Sequence, residues 1–149
     1  ALGTVLAACL ITNAPLRAQA AAERQIDSLM ADQLPAANAH DVERFLAAFA
    51  HDSTLVFVFD GMVIAGYDSL LAQQRRWWSN GAEGVIYERK ASPQITLLAP
   101  GVAVAIDRIT SRRTLPSGEV RAGEAVVLLV WKRQPEGWRI IAAHESTAR

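Results

Sequence analysis

Apolar residues in the first half of the chain recur at helical spacing. The pattern predicts an amphipathic helix over residues 21–38, which Pro35 should kink or end. Two further helices are predicted, over residues 42–50 with Asp41 as N-cap and over residues 67–79. The inward stripe of the first helix consists of Ile26, Leu29, Met30, Gln33 and Leu34.

Shorter apolar runs separated by turn residues fill the rest of the chain. Residues 55–59 are apolar at every position, which predicts a buried strand, and an Asp60-Gly61 turn leads to a short return arm over residues 62–65. An antiparallel meander is predicted over residues 85–98, 102–113, 119–132 and 138–146. The order helix, helix, hairpin, helix and meander indicates an α+β domain.

The last predicted strand, residues 138–146, alternates and ends in polar residues. A period of two places one set of side chains on a single face, namely Trp138, Ile140, Ala142, His144 and Ser146. A strand that begins with tryptophan and ends with histidine and serine on that face carries polar groups into a concave interior.

This ending, Gly-Trp-x-Ile followed by His-x-Ser after a valine-rich strand, resembles the C-terminus of the nuclear transport factor 2-like superfamily. Its SnoaL-like and ketosteroid-isomerase-like branches are the most similar, and the resemblance covers residues 22–146. It implies a cone-shaped fold, in which a strongly bent, mostly antiparallel sheet wraps around three N-terminal helices. It also implies that His144 lies near a pocket.

The chain departs from two mechanisms of that superfamily. The isomerases carry a carboxylate base in the first strand, and the corresponding position falls on or beside Phe57 in this chain. The epoxide hydrolases alternate an arginine and an aspartate along one strand, whereas Asp107 and Arg108 are adjacent and face opposite ways. Neither mechanism carries over intact.

His144 and Asp107 are the predicted catalytic residues. Asp107 interrupts an apolar strand, where a charge is costly unless it is paired. Counting from the hairpin breaks places both residues opposite Val126, within one residue, so they lie two strands or about 10 Å apart. The alternatives are a histidine bonded to a backbone carbonyl, and an aspartate at a strand end that pairs with Arg108 or Arg112.

Four further residues are predicted to contact a ligand: Ser146, Trp77, Tyr67 and Phe57. Adjacent helical residues point about 100° apart, so at most one of Trp77 and Trp78 is expected to line a pocket. Three histidines and a single cysteine without paired ligand spacing give no support for a metal site, and no cofactor is expected.

Charge and apolar patterning bear on the partners. The formal net charge of zero argues against nucleic acid, and no apolar run reaches the roughly 18 residues of a membrane-spanning helix. Residues 126–131 and 55–59 are apolar on both faces, yet one layer of helices covers only one face of a sheet. A second copy is the simplest cover for the other face, so we predict a homodimer.

The first 20 residues carry two overlapping export signals. An uncharged stretch over residues 1–15 leads to Ala18-Gln19-Ala20, which fits signal-peptide cleavage and leaves a mature domain of residues 21–149. Leu6-Ala7-Ala8-Cys9 resembles a lipobox, which would make Cys9 a lipid anchor, and an ordinary helix is the third alternative. Either export signal predicts a periplasmic or secreted protein.

The sequence therefore predicts an exported protein with a pocket for an apolar or mixed-polarity small molecule. As an enzyme it would be a cofactor-independent isomerase, cyclase or dehydratase that acts by proton transfer. His144 would be the acid or base, and Asp107 would orient or polarise. The alternative is a non-catalytic ligand-binding or dimeric assembly module of the same fold.

Overall fold

The computed structural model describes residues 14–79 and 84–148 of the chain. These residues form three helices: α1 Ala14–Asn38, α2 Val42–Leu46 and α3 Tyr67–Ser79. Helix α2 is shorter than predicted. The predicted leader lies partly outside the described residues, and Cys9 lies wholly outside them. Residues 14–20 form the beginning of α1.

Pro35 does not end α1, contrary to one of the two expectations for it, because the helix continues to its own terminating turn. There His40 adopts the left-handed conformation with a φ of 53°. The backbone N–H of Asp41 donates to the Ala36 carbonyl at 2.9 Å, which closes the helix end in the manner usually seen with glycine. The Asp41 side chain then caps α2, accepting from the backbone N–H of Arg44 at 3.1 Å.

The described residues contribute seven strands to one sheet: β1 Val56–Phe59, β2 Met62–Ala65, β3 Val85–Arg89, β4 Gln94–Ala99, β5 Val102–Thr114, β6 Val120–Gln134 and β7 Gly137–Thr147. The order across the sheet is β2-β1-β7-β6-β5-β3, and β4 pairs with the other half of β5. Among these seven described strands, only β1 and β7 pair in parallel. The predicted α+β cone is confirmed, although the predicted arm over residues 85–98 is two strands, β3 and β4.

The core fills the concave, inner face of this sheet. Its largest fully buried side chains include Ile26 and Met30 of α1, Leu46 of α2, and Trp131 and Ile140 of the sheet. Burying each aliphatic side chain of this size contributes about 1.5–3 kcal/mol. The helices therefore occupy one side of the sheet, and a site can form only where they leave space.

An extra residue in β7 changes which side chains face the core. Trp131 pairs with Ile140 and Val130 pairs with Ala142, so Ile141 has no partner on β6 and forms a β-bulge. The backbone of Ile140 bonds to the segment between α2 and β1, whereas β7 pairs with β1 itself from Ala142 onward. The bulge lies where β7 exchanges one neighbour for the other.

The bulge reverses the predicted faces at the end of β7. Trp138 is buried as expected, but beyond the bulge the inward residues are Ala143 and Glu145. The prediction that His144 and Ser146 point into the interior is wrong, since both are exposed on the opposite side of the strand. A shift of one residue moves every following side chain to the other face of a sheet.

The convex, outer face of the sheet is apolar at its centre. One cross-strand row contains Val63, Val58, His144, Leu128 and Ile106. The adjacent row contains Ala65, Val56, Ala142, Val130 and Val104. His144 is the only titratable side chain in these rows, and the apolar surface around it is accessible, with Val63 and Leu128 exposed by 68% and 39%.

Candidate functional site

A cavity of about 230 Å³ lies between the inner face of the sheet and all three helices. A cavity of about 150 Å³ is sufficient to hold benzene, so this one accommodates a substituted ring. Its wall is mainly aromatic, formed by Phe45, Phe49, Phe57, Phe59, Trp77, Trp78 and Tyr87. Its polar lining side chains are Gln33, Gln74, Arg89, Asp107 and Glu145.

Both tryptophans of α3 line the cavity, so the prediction that at most one does so is wrong. The ring of Trp77 lies 5.3 Å from that of Phe59 on β1, measured between centroids. The ring of Trp78 lies 5.2 Å from that of Phe45 on the helical side, measured between centroids. The two indoles still point apart, but the cavity extends around the end of the helix and meets both.

Asp107 is buried on β5 and pairs with an arginine of the neighbouring strand. The Nε–H of Arg89 donates to Asp107 Oδ2 at 2.7 Å, and Arg89 Nη2 donates to the Met30 carbonyl at 2.9 Å. This corrects the alternative in which Asp107 pairs with Arg108 or Arg112. Burial raises the pKa of Asp107, while the hydrogen bond and the charge of Arg89 act to lower it.

Glu145 lies on the inner face of β7, in the same cross-strand row as Asp107. Asp107 pairs with Val127, and Val127 pairs with Glu145, so the two acids lie two strands apart. This corresponds to about 10 Å between their Cα atoms. Burial raises the pKa of Glu145 to about 7, and the nearby Asp60 carboxylate adds to the rise. No ion pair of Glu145 occurs within the described parts of the chain.

The predicted site residues fall into three places. Asp107, Trp77 and Phe57 lie on the cavity wall, and their roles stay predictions. His144 and Ser146 lie on the outer face, away from the cavity. Tyr67 also lies outside it, at the beginning of α3, where its ring stacks on His51 with centroids 3.9 Å apart.

Sequence reasoning missed Arg89 and Glu145. Arg89 could have been found from the strand pairing, because an inward charge on β3 is a natural partner for the buried Asp107 on β5. Glu145 gave no comparable signal. It stands next to His144, and only the bulge decides which of the two enters the cavity.

The described parts of the chain hold no group of three or more histidine, cysteine, aspartate or glutamate residues arranged to bind a metal ion. None of their helices is long and apolar enough to cross a membrane.

Several solved structures share this fold. A nuclear transport factor 2-like protein with a cystatin-like fold from Novosphingobium aromaticivorans is 20% identical, with a TM-score of 0.75 over 94% of this chain and 91% of that chain. A protein with a cystatin-like fold from Caulobacter vibrioides is 20% identical, with a TM-score of 0.74 over 87% and 91%. A nuclear transport factor 2-like superfamily protein from Salmonella enterica is 16% identical, with a TM-score of 0.73 over 87% and 93%.

Sequence comparison supplies the family. No curated protein matches the chain. The profile of a SnoaL-like domain matches residues 18–144, which include all three helices in whole or in part and nearly the whole sheet. The chain therefore belongs to the SnoaL-like domain family, within the nuclear transport factor 2-like superfamily.

Proposed function

We propose that the protein binds a small, largely apolar ring compound in this cavity and transfers a proton to or from it. The reaction would be an isomerisation, cyclisation or dehydration without a cofactor. The observation that carries the proposal is Glu145, a carboxyl group in an aromatic cavity whose charge is not paired with any described cation. Glu145 thus takes the acid–base role that the sequence suggested for His144.

The environment of Glu145 suits such chemistry. A pKa of about 7 allows the group to donate a proton and to accept one near neutral pH. The aromatic wall excludes water from one side of a bound ring and orients it by stacking or edge contacts. Asp107, fixed by Arg89, supplies a second polar group in the same row of the sheet.

Proton exchange at an enolisable cyclic ketone tests the proposal without knowledge of the natural substrate. 2-Indanone would be incubated with the protein in D₂O, and loss of its α-proton signals would be followed by NMR. We expect the protein to accelerate exchange, and Glu145→Gln to reduce the acceleration at least about 100-fold. Glu136→Gln, at an exposed position in the turn before β7, is the matched control and should leave the rate unchanged.

Exchange that survives Glu145→Gln would refute Glu145 as the base. Binding of ring compounds without any exchange would favour the second function, a non-catalytic ligand-binding module of the same fold. The pH dependence adds a further check. Because the ionised carboxylate is the base, the exchange rate should rise with pH up to about 7 and then level off.

We further propose that a second copy of the chain covers the outer face. The ten positions in its two central rows carry no charge apart from that of His144 when it is protonated. A strip that is apolar and exposed on both molecules is complementary to itself, as a two-fold interface requires. The first charged side chain beyond these rows on β5 is Arg108, which is exposed.

Export remains a proposal that rests on the leader sequence. Expressed with a complete leader in a bacterium, the protein should leave the cytoplasm and begin near Ala21, which N-terminal sequencing would show. A diacylated Cys9, identified by intact mass, would support the lipoprotein instead. An unprocessed cytoplasmic chain would refute both.

A further inference from the structure

A glutamine occupies the buried stripe of α3. Leu70, Gln74 and Trp78 follow one another at a spacing of four residues, which places them on one face of the helix, and all three are buried. Gln74 is 6% exposed and lines the cavity, as does Trp78 one turn further along. The inward face of α3 therefore carries a carboxamide at a position where an apolar side chain would pack without leaving polar atoms to satisfy.

The carboxamide of Gln74 forms no hydrogen bond with any described residue. Neither of its polar atoms is among the described side-chain atoms that are both enclosed and unpartnered, so both atoms keep accessible surface. Gln33, the other amide on the cavity wall, differs because its Nε2 donates to the Phe45 carbonyl, although at 3.5 Å. The cavity is the space that Gln74 borders, so its donor and its acceptor are both open to a ligand there.

Gln74 and Glu145 belong to opposite layers around the cavity. Gln74 lies on α3, and Glu145 lies on the inner face of β7. Trp77 of α3 packs against Phe59 of β1, and Phe59 is the strand partner of Glu145. A ring that stacks on these aromatic side chains can present one edge to Gln74 and keep another near Glu145.

We infer that Gln74 determines specificity, and that the ligand is a small ring compound with a neutral amide edge, such as a lactam or a cyclic imide, that pairs with the carboxamide. The inference rests on the proposed function, because it concerns the same cavity. A carboxamide is at once a donor and an acceptor. A small lactam ring holds its C=O and its N–H on one edge, so the two amides can form a pair of parallel hydrogen bonds. A ketone uses only the donor of Gln74, and a hydrocarbon leaves both of its polar atoms unpaired.

Three ligands with one ring skeleton separate these contributions. Indane carries no polar group, 2-indanone adds a carbonyl acceptor, and 2-oxindole places an N–H donor beside that carbonyl. Each would be titrated into wild type and into Gln74→Met at pH 6, where Glu145 is largely protonated because its pKa is about 7. The indole N–H signals of Trp77 and Trp78 report binding by NMR. Removing a given ligand from water costs the same for both proteins, so this cost cancels in the comparison.

Gln74→Met should weaken the binding of 2-oxindole at least about tenfold, because two hydrogen bonds in an apolar cavity are lost. The affinity for 2-indanone should fall about threefold, since only one is lost. Indane should bind as tightly or more tightly, because it no longer buries an unpaired amide. Methionine has a similar length and suits a buried helical stripe, so the variant should fold. Gln25→Met, at an exposed position on α1, is the matched control and should leave all three affinities unchanged.

The outcomes separate this inference from the proposed function. An unchanged affinity for 2-oxindole, or an equal loss for all three ligands, would overturn the inference while the cavity remains a binding site with Glu145 as its acid–base group. Failure of all three ligands to bind wild type would refute the cavity as a site for ring compounds and the inference with it. If Gln74→Met does not fold, the side-chain amide resonances of Gln74 in wild type decide. 2-Oxindole should shift its N–H protons downfield and indane should not, and equal shifts would overturn the inference.

Discussion

Replacing Glu145 by glutamine should stabilise the protein at neutral and alkaline pH. The pKa of Glu145 is raised from 4.5 to about 7 in the folded state, first by burial and then by the Asp60 carboxylate. Since one pKa unit corresponds to about 1.4 kcal/mol, ionising Glu145 costs the folded state about 3 kcal/mol. Glutamine keeps the shape of the protonated side chain and never ionises.

The free energy of unfolding depends on pH wherever the folded and unfolded chains differ in the protonation of Glu145. Below pH 4.5 the Glu145 carboxyl is protonated in the folded and the unfolded chain, so its full contribution to stability is present. Between pH 4.5 and about 7 the unfolded chain releases a proton that the folded chain retains, and the free energy of unfolding falls. Above about pH 7 both states are ionised and the loss is complete.

Urea unfolding from pH 4 to pH 8.5, at one fixed protein concentration, measures this effect. The difference in the free energy of unfolding between Glu145→Gln and wild type should grow through this range to about 3 kcal/mol in favour of the variant. Comparison at each pH cancels the titration of other groups. Glu136→Gln should show no such growth, since Glu136 is exposed. A difference that is constant with pH, or a variant less stable than wild type at pH 8, would refute the reasoning.

Three further predictions concern the outer face, the buried ion pair and the helix cap. Leu128→Asp should convert the proposed dimer to a monomer in sedimentation at micromolar concentration, whereas Val120→Asp, exposed at the end of the same strand, should leave it intact. Arg89→Met should lower the free energy of unfolding in urea by about 3 kcal/mol at pH 7, because Asp107 loses its partner, and by less at pH 4; an equal loss at both values would contradict this. Asp41→Ala should cost about 1 kcal/mol by removing the N-cap of α2, and no change in thermal or urea unfolding would contradict it.

The fold was predictable from the sequence because its signals are local and repeated. Strand-length apolar runs separated by Gly- and Pro-containing turns predicted the hairpin β1–β2 and the antiparallel order of β5, β6 and β7. The limits of α2 and the division of the arm over residues 85–98 were not predictable in the same way. Both depend on how the bent sheet meets the helices, which local propensity does not encode.

The candidate site was only partly predictable, and the reason is a single residue. A buried charge in an apolar strand was enough to select Asp107. Which of His144 and Glu145 enters the cavity depends on the bulge at Ile141, and the bulge arises where β7 exchanges one pairing partner for another. The alternation of residue types along β7 gives no sign of that change of partner, so a regular period of two placed His144, rather than Glu145, in the cavity.

The two acids of the cavity make the protein less stable than an apolar wall would. Ionised Glu145 costs about 3 kcal/mol above pH 7, and the unpaired oxygen of Asp107 costs about 1–3 kcal/mol more. Glutamine or leucine could relieve either cost, yet both acids lie in one row, on strands held by neighbours on each side. The sheet fixes their separation, and aromatic side chains form much of the wall around them. Costly groups gathered and held rigidly in one cavity are typical of a site that acts on a ligand rather than of a core that only packs.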